Sequence, residues 1–307
     1  PREALDALDA LDALEDALPA AFDYNHIYDL PEGERPSDGK NPSPTDVELG
    51  ATGTGRGIRL GVIDTLPNPD HVSLKNQAIT IRDFADKGQR DRSHATAVVS
   101  ILVGEDPAAD YSGLIPGAQI YAANIFSLDK SGRPQTNAFA MIRALDWLAG
   151  ENVGVINLSI AGPPSDALET VLQRLAERGH QVVAAVGNDG PAAPPLYPAA
   201  YQSVTGVTAV DLNNRPYRRA NRGAHVDYAA PGVRLRAAQS DGHYDAFTGT
   251  SFATPVVSAL FALQAKTASD ARNAATKPAP KYLDLGEPGR DTIFGYGLIQ
   301  LAREHNP

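Results

Sequence analysis

The sequence predicts an α/β fold, a mostly parallel sheet with helices on both faces, and two observations carry that prediction. From about residue 57 onward, short apolar runs that suit buried strands alternate with longer stretches of helical pattern. Alternation of this kind is typical of parallel strands joined by covering helices. At 307 residues, 42% hydrophobic and 21% charged, the chain can also bury the core that such a sheet needs.

The strands are expected at five runs: Leu60–Ile63, Ile120–Ile125, Val153–Leu158, Gln181–Val186 and Ser203–Val210. The helices are expected at about Ser93–Val103, Asn137–Ala149, Ser165–Arg178 and Pro255–Lys266. Open sheets of this class bind their ligands at the carboxyl ends of the strands. Residues just past those ends are therefore the first candidates for chemistry.

The first 55 residues differ from the rest. Leucines recur every three or four positions, which places them along one stripe of a helix: Leu5, Leu8, Leu11, Leu14 and Leu18. From Pro31 to Gly57 the chain is rich in Pro, Gly and Asp and reads as an extended connector. We therefore divide the chain into an N-terminal helical segment with its connector, residues 1–55, and a main domain, residues 56–307. The helix would pack on the main domain or on a protein partner, and a pro-segment remnant or a low-complexity tail is the alternative.

Charge and composition exclude several classes of function. A formal net charge of −10 argues against a nucleic-acid-binding protein and against adsorption to anionic membranes. The absence of cysteine excludes disulfides and thiolate metal sites. No apolar run reaches the roughly 18 residues of a membrane span. The start lacks the layout of a secretory signal, but it begins at Pro1 rather than Met, so this says little about export.

Two polar residues stand where chemistry is expected. Asp64 follows the first predicted strand, where a carboxylate could orient an imidazole, bind a metal or cap a loop. His94 lies at the start of a helix so apolar that it must be buried. Taken alone, Asp64 is better explained as a cap and His94 as a hydrogen-bonded core residue.

Two further residues have comparable settings. Ser251 follows Gly249 and precedes Pro255, a pattern that holds a hydroxyl at or near the first turn of a buried helix. An ordinary capping serine is the alternative. Asn188 comes just past the strand predicted at Gln181–Val186, where its amide could donate to a developing oxyanion or simply form a turn.

The four residues occur along the chain in the order Asp, His, Asn, Ser. Because the catalytic residues of subtilisin occur in the order Asp-His-Ser, we interpret the four residues as one site. The segments around them resemble the signature blocks of the subtilase family (peptidase family S8), most specifically Gly249-Thr250-Ser251-Phe252-Ala253-Thr254-Pro255. Asn157–Pro163 resembles the substrate-binding strand of that family, and Val226–Gly232 its loop before the nucleophile. The resemblance extends from about Gly57 to Leu301.

The resemblance implies a serine endopeptidase and a role for each residue. Ser251 would attack the scissile carbonyl, His94 would accept its proton and return it to the leaving amine, and Asp64 would hold the imidazole. The Asn188 side chain and the Ser251 N–H would form the oxyanion hole. The backbone of Ser159, Ile160 and Ala161 would pair with an extended peptide. No metal and no other cofactor is required for this chemistry.

Specificity follows from the predicted walls of the pocket for the P1 side chain. These are Ser159, Ala185–Gly187 and Leu196–Pro198, and all are small or apolar. We therefore expect a small or apolar P1 residue. Ala95 and Ala161 stand where the family usually has glycine, and the methyl of Ala161 would restrict the substrate.

The remaining expectations concern calcium, location and competing functions. Many secreted subtilases bind calcium in a loop after the histidine helix, but Gly104–Gly113 resembles that loop little, and a plain surface turn is favoured. Phe22–Tyr28 resembles a segment ahead of the catalytic domain in some bacterial subtilases, which favours a bacterial protein that is secreted or periplasmic. A catalytically silent binding module of the same fold, or an esterase or transferase using the same chemistry, are the competing functions.

Overall fold

The computed structural model of the chain describes residues 27–29, 43–44, 54–270 and 281–300. The helix predicted from the leucine repeat, and most of the connector that follows it, lie outside the described residues. Of the helices that the structure describes, none is both long enough and apolar enough to span a membrane.

The described strands and helices have the following bounds. The strands are β1 (Ile27–Asp29), β2 (Arg59–Asp64), β3 (Ile79–Asp83), β4 (Glu105–Asp106), β5 (Tyr111–Ser112), β6 (Gln119–Asn124), β7 (Ser127–Leu128), β8 (Pro134–Asn137), β9 (Val155–Leu158), β10 (Gln181–Ala185), β11 (Val204–Val210), β12 (Tyr228–Pro231), β13 (Leu235–Ala238), β14 (Tyr244–Phe247), β15 (Lys281–Leu283) and β16 (Leu298–Gln300). The helices are α1 (Ser93–Val103), α2 (Ala138–Gly150), α3 (Asp166–Glu177) and α4 (Thr250–Asp270).

A nine-stranded sheet organises the molecule, in the order β15-β16-β12-β11-β10-β9-β2-β6-β3. All neighbouring strands are parallel except β15, which is an antiparallel edge strand on β16. The five predicted strand runs are all strands of this sheet, so the predicted fold class is confirmed. The carboxyl ends of β2, β9 and β10 meet at one edge of the sheet, where we expected the chemistry.

The core lies on both faces of the sheet. Alternate residues of one strand point to opposite sides, and Val62 packs in the cluster that holds α1 and α4, whereas Ile63 packs in the cluster that holds α2 and α3. The same division separates Val155 from Ile156. Burial on both sides explains why the strands read as continuous apolar runs rather than as alternating ones.

Smaller sheets lie outside this framework. β1 pairs antiparallel with β8, which also pairs with β7, and β13 pairs with β14. Residues 104–113, predicted as a surface turn, contain a short antiparallel hairpin of β4 and β5.

One predicted helix boundary is wrong. The last helix was expected to begin at Pro255, because proline suits a first helical turn, but α4 begins at Thr250 and encloses Pro255. Ser251 is therefore the second helical residue, and Pro255 lies in the second turn. The physical reason is a hydrogen bond from the side chain of Ser159, which lies just past β9.

Candidate active site

Asp64 and His94 form a direct buried pair. Asp64 ends β2, His94 is the second residue of α1, and Nδ1 of His94 lies 2.8 and 2.9 Å from the two carboxylate oxygens. Because a carboxylate only accepts, Nδ1 is the protonated nitrogen, and Nε2 is left as an acceptor. Nε2 is buried and has no hydrogen-bond partner among the described residues.

Thr65 fixes this pair from both sides, a role that the sequence did not reveal. Its N–H donates to Oδ1 of Asp64 at 2.6 Å, and its hydroxyl accepts from the N–H of Ala95 at 3.0 Å. One residue therefore ties the end of β2 to the first turn of α1. A threonine directly after a strand-end aspartate is the signal that could have suggested it.

The electrostatic surroundings favour the imidazolium form of His94. Burial alone would lower the pKa of His94, but the negative charge of Asp64 and its hydrogen bond oppose that effect, and Asp91 adds to them. The net result is a pKa raised above 6.5. A histidine in this setting can accept a proton and hold it.

Ser251 approaches the histidine on a separate helix. Its hydroxyl is buried and has no hydrogen-bond partner among the described residues. The ring of the next residue, Phe252, lies 5.2 Å from the His94 ring between centroids, and α4 packs against α1. The hydroxyl and Nε2 of His94 are thus two partnerless polar atoms carried by contacting helices, a condition that buried groups rarely adopt without a functional reason.

Asn188 and Ser251 face a common space beside Gly249. A Cβ atom built on Gly249 would lie 3.1 Å from Nδ2 of Asn188 and 3.3 Å from Oγ of Ser251. The amide is oriented by Thr250, whose N–H and hydroxyl both donate to Oδ1 of Asn188 at 3.0 Å. With its oxygen engaged in this way, Asn188 presents its NH2 group toward the serine.

The backbone carbonyl of Ser251 is satisfied from outside its helix. In a regular helix the N–H of residue 255 would donate to this carbonyl, but Pro255 has no N–H. The hydroxyl of Ser159 donates to it instead, at 2.8 Å. This bond allows α4 to run through Pro255 without leaving a buried carbonyl unpaired.

Two more buried side chains hold Ser159 in place. The amide of Asn157 donates to the Ser159 hydroxyl at 3.0 Å, and the hydroxyl of Ser258 donates to the oxygen of Asn157 at 3.0 Å. We call these three residues, Asn157, Ser159 and Ser258, the serine relay. All three are fully buried. Asn157 and Ser258 were not among the predicted site residues.

The predicted pocket walls come together around Gly187. Its φ of +103° suits glycine, and a Cβ there would lie 2.6 Å from Cδ1 of Leu196. Gly162 and Tyr197 exchange two backbone hydrogen bonds, of 2.8 and 2.9 Å, which brings the end of the predicted substrate strand to the 196–198 segment. Asn221, which the sequence did not single out, donates its N–H to the Gly187 carbonyl at 3.1 Å.

The predicted substrate-binding residues lie immediately past β9. Ser159, Ile160 and Ala161 are all buried, and the Ser159 hydroxyl turns inward to the relay rather than toward a pocket. Ile160 has no backbone hydrogen bond among the described residues, and Ala161 stands at a β-bridge position beside Gly162.

The loop at residues 104–113, which we considered as a calcium site, is bound by the side chain of Arg236. The guanidinium of Arg236 donates to the carbonyls of Ala109 and Asp110 at 2.9 and 3.3 Å and lies over the rings of Tyr111 and Tyr244. In the described residues, no group of three or more His, Asp or Glu side chains is arranged to hold a metal ion.

Comparison with known proteins gives one consistent result. The model of the subtilase family matches residues 55–297. The minor extracellular protease Epr of Bacillus subtilis is 32% identical over 256 residues, which cover 82% of this chain and 39% of Epr. Subtilisin E of B. subtilis is 32% identical over 216 residues, 68% of this chain and 56% of that protein. The chain thus spans about two fifths to a little over half of the length of these two relatives.

A solved structure agrees with the sequence comparison. The prenylagaramide maturation protease PagA superposes with a TM-score of 0.61 at 25% identity, covering 70% of this chain and 77% of PagA. The family match includes all four residues singled out by their order in the sequence. Asp64 and Asn188 lie at the carboxyl ends of sheet strands, and His94 and Ser251 lie on the contacting helices α1 and α4. The chain therefore belongs to the subtilase family.

Proposed function

We propose that this chain is a serine endopeptidase in which Asp64, His94 and Ser251 act as the catalytic triad and Asn188 as an oxyanion donor. The observation that carries the proposal is the buried Asp64–His94 pair, in which Nε2 of His94, like the Ser251 hydroxyl, has no hydrogen-bond partner among the described residues. Family membership supports the same chemistry.

The proposed reaction has two halves. Oγ of Ser251 attacks the scissile carbonyl carbon while Nε2 of His94 takes the hydroxyl proton, and Asp64 stabilises the resulting imidazolium. The C–N bond then breaks as His94 passes the proton to the leaving amine. A water molecule then attacks the acyl carbon while Nε2 of His94 takes its proton. The ester bond to Ser251 breaks as His94 passes that proton to Oγ, which regenerates Ser251.

During both halves the carbonyl oxygen becomes negatively charged. The NH2 group of Asn188 and the N–H of Ser251 would donate to it in the space beside Gly249. Donors of this kind typically stabilise the transition state by about 3–4 kcal/mol each.

The substrate is a polypeptide, bound as a strand along Ile160 and Ala161, with a small or apolar P1 side chain. The absence of a carboxylate at Gly187 and Leu196 supports this preference over a basic P1 residue. Peptide libraries that differ only at P1 would test it, and a clear preference for Arg or Lys would contradict it.

The function itself is tested with a denatured protein substrate such as casein. We expect the purified chain to cleave it and the Ser251→Ala variant to be inactive. A chain that binds unfolded polypeptide without cleaving it would instead be the catalytically silent module. Hydrolysis of small esters without any cleavage of protein would indicate an esterase.

We also propose that the protein acts outside the cytoplasm, as the name of the minor extracellular protease Epr indicates for that relative. The division at residue 55 and the docking role of residues 1–55 stay predictions. Deleting residues 1–50 would distinguish two roles for this segment. If the segment is a clamp on the main domain, the deletion should lower the thermal stability. If the segment is inhibitory, the deletion should raise the turnover.

A further inference from the structure

A cluster of arginines lies beside the site and takes no part in the proposed chemistry. The segment 215–222 contains four of them: Arg215, Arg218, Arg219 and Arg222. The chain as a whole is acidic, but residues 1–34 contain ten acidic residues and one arginine, which leaves 27 acidic and 26 basic residues elsewhere. The main body is therefore almost neutral, and a local excess of positive charge on it can attract an anionic group.

The side chains of these arginines, unlike their backbone, form no polar contacts that stabilise the described part of the fold. Arg215, Arg218 and Arg219 are exposed and Arg222 is half-buried. None of the four guanidinium groups forms an ion pair, a hydrogen bond or an aromatic contact within the described residues. The exposed Asp189 lies at the same edge, but its carboxylate is more than 4 Å from each of them.

The segment is fastened to the loop that carries Asn188. The Arg219 carbonyl accepts from the N–H of Gly190 at 2.8 Å. The buried Asn221 accepts from the N–H of Asp189 at 2.9 Å through its side chain and donates its own N–H to Gly187. The arginines therefore have a fixed position relative to the oxyanion donor.

Their position assigns them to one half of the substrate. The pocket formed by Gly187 and Leu196, together with Ile160 and Ala161, receives the acyl half, which ends at the scissile carbonyl. Asn188 marks that carbonyl, and the segment is bonded on both sides of it, to Gly187 through the N–H of Asn221 and to Gly190 through the Arg219 carbonyl. Because Arg219 bonds to the residue two positions beyond Asn188, we place Arg219 and its neighbour Arg218 beside the leaving-group half of a bound peptide.

We propose that Arg218 and Arg219 are specificity-determining residues that favour substrates with an acidic side chain shortly after the scissile bond. This inference rests on the proposed function and adds a substrate class to it. The planar guanidinium groups would form bidentate hydrogen bonds with an Asp or Glu carboxylate of the substrate.

The effect is modest and depends on salt. Exposed ion pairs change an equilibrium by a few-fold at most, so two arginines should favour an acidic peptide about three- to tenfold in kcat/KM. Raising the ionic strength to about 1 M shortens the screening length to about 3 Å and should remove most of that preference.

The experiment uses the full chain and peptides with one common acyl half. The residues after the scissile bond carry Glu, Gln or Lys at one position at a time, and kcat/KM is measured at low and at high salt. The variants are Arg218→Gln/Arg219→Gln, Arg219→Lys and, as a matched control, Arg56→Gln. Arg56 is exposed and lies just before β2 begins, at the opposite end of that strand from Asp64.

We expect the wild type to prefer Glu over Gln over Lys, and the double variant to cleave the three peptides at similar rates. Arg219→Lys should keep part of the preference and Arg56→Gln all of it. Equal rates for Glu and Gln in the wild type, or an equal loss of preference in Arg56→Gln, would overturn the inference. Failure to cleave any of the peptides would instead count against the proposed function.

Discussion

The two halves of the site are held together by different kinds of interaction. In the proposed acid–base half, a carboxylate contacts an imidazole directly, and the charge of Asp64 raises the pKa of His94. In the proposed nucleophile half, the described contacts that position Ser251 are neutral hydrogen bonds, through Thr250 on one side and the serine relay on the other. We therefore expect activity to depend on pH and on the loss of a charge through the Asp64–His94 pair. Loss of a buried hydrogen-bond donor should instead act through the position of Ser251.

The largest effect is expected from breaking the acid–base half. Asp64→Asn keeps the size of the side chain but can hold the imidazole in the wrong tautomer, with Nδ1 as the acceptor. We expect kcat to fall about 10⁴-fold, since that is the typical cost of this change in a triad. Steady-state kinetics on a peptide would measure it, with circular dichroism to check the fold, and a loss of less than about tenfold would contradict the role of Asp64.

Removing the oxyanion donor should cost less. Asn188→Ala should lower kcat about 10²- to 10³-fold with little change in KM, because the amide acts on the transition state rather than on the bound substrate. Thr250→Val is a companion variant, since it removes a hydroxyl that orients the Asn188 oxygen. A rise in KM with unchanged kcat would place Asn188 in substrate binding instead.

The serine relay offers a test that separates a positioning role from general packing. Ser159→Ala leaves the Ser251 carbonyl buried without a donor, which typically costs about 1–3 kcal/mol in the free energy of unfolding. Pro255→Ala restores an N–H four residues after Ser251, so the double variant should regain part of that loss. Urea unfolding in a Ser251→Ala background, which prevents self-digestion, would measure all three proteins.

The control for this experiment is Ser258→Ala, at the far end of the relay. In that variant the Ser159 hydroxyl still donates to Ser251, so adding Pro255→Ala should bring no recovery. Equal recovery in both series would show that Pro255→Ala acts on the helix in general and not on this carbonyl.

The smallest effect concerns pH. Because the folded pKa of His94 is raised, its protonated and inactive form persists above pH 6.5, and activity appears only as the pH rises through that higher value. Asp91→Asn removes a minor cause of the increase and should move the acid limb of kcat/KM slightly downward. Ser159→Ala should leave the apparent pKa of the acid limb unchanged. A shift of that limb in Ser159→Ala would contradict the distinction between the Asp64–His94 pair and the hydrogen bonds around Ser251.

The same contrast explains what could be predicted from the sequence. Asp64 and His94 could be singled out because a strand end and the start of a buried helix are local features, but their proposed roles came from their order with Asn188 and Ser251 and from the family resemblance. The start of α4 was wrong because the donor that compensates for Pro255 comes from Ser159, 92 residues earlier in the chain. Asn157 and Ser258 were missed for the same reason, since a buried hydrogen bond between a strand and a helix leaves no local pattern.

The central claim, that Ser251 is an activated nucleophile, is tested most directly by covalent labelling. A fluorophosphonate probe should modify the chain stoichiometrically at Ser251, as mapped by mass spectrometry, and labelling should be abolished in Ser251→Ala and strongly slowed in Asp64→Asn. No labelling of the folded wild-type protein, or labelling that persists in Ser251→Ala, would contradict the account.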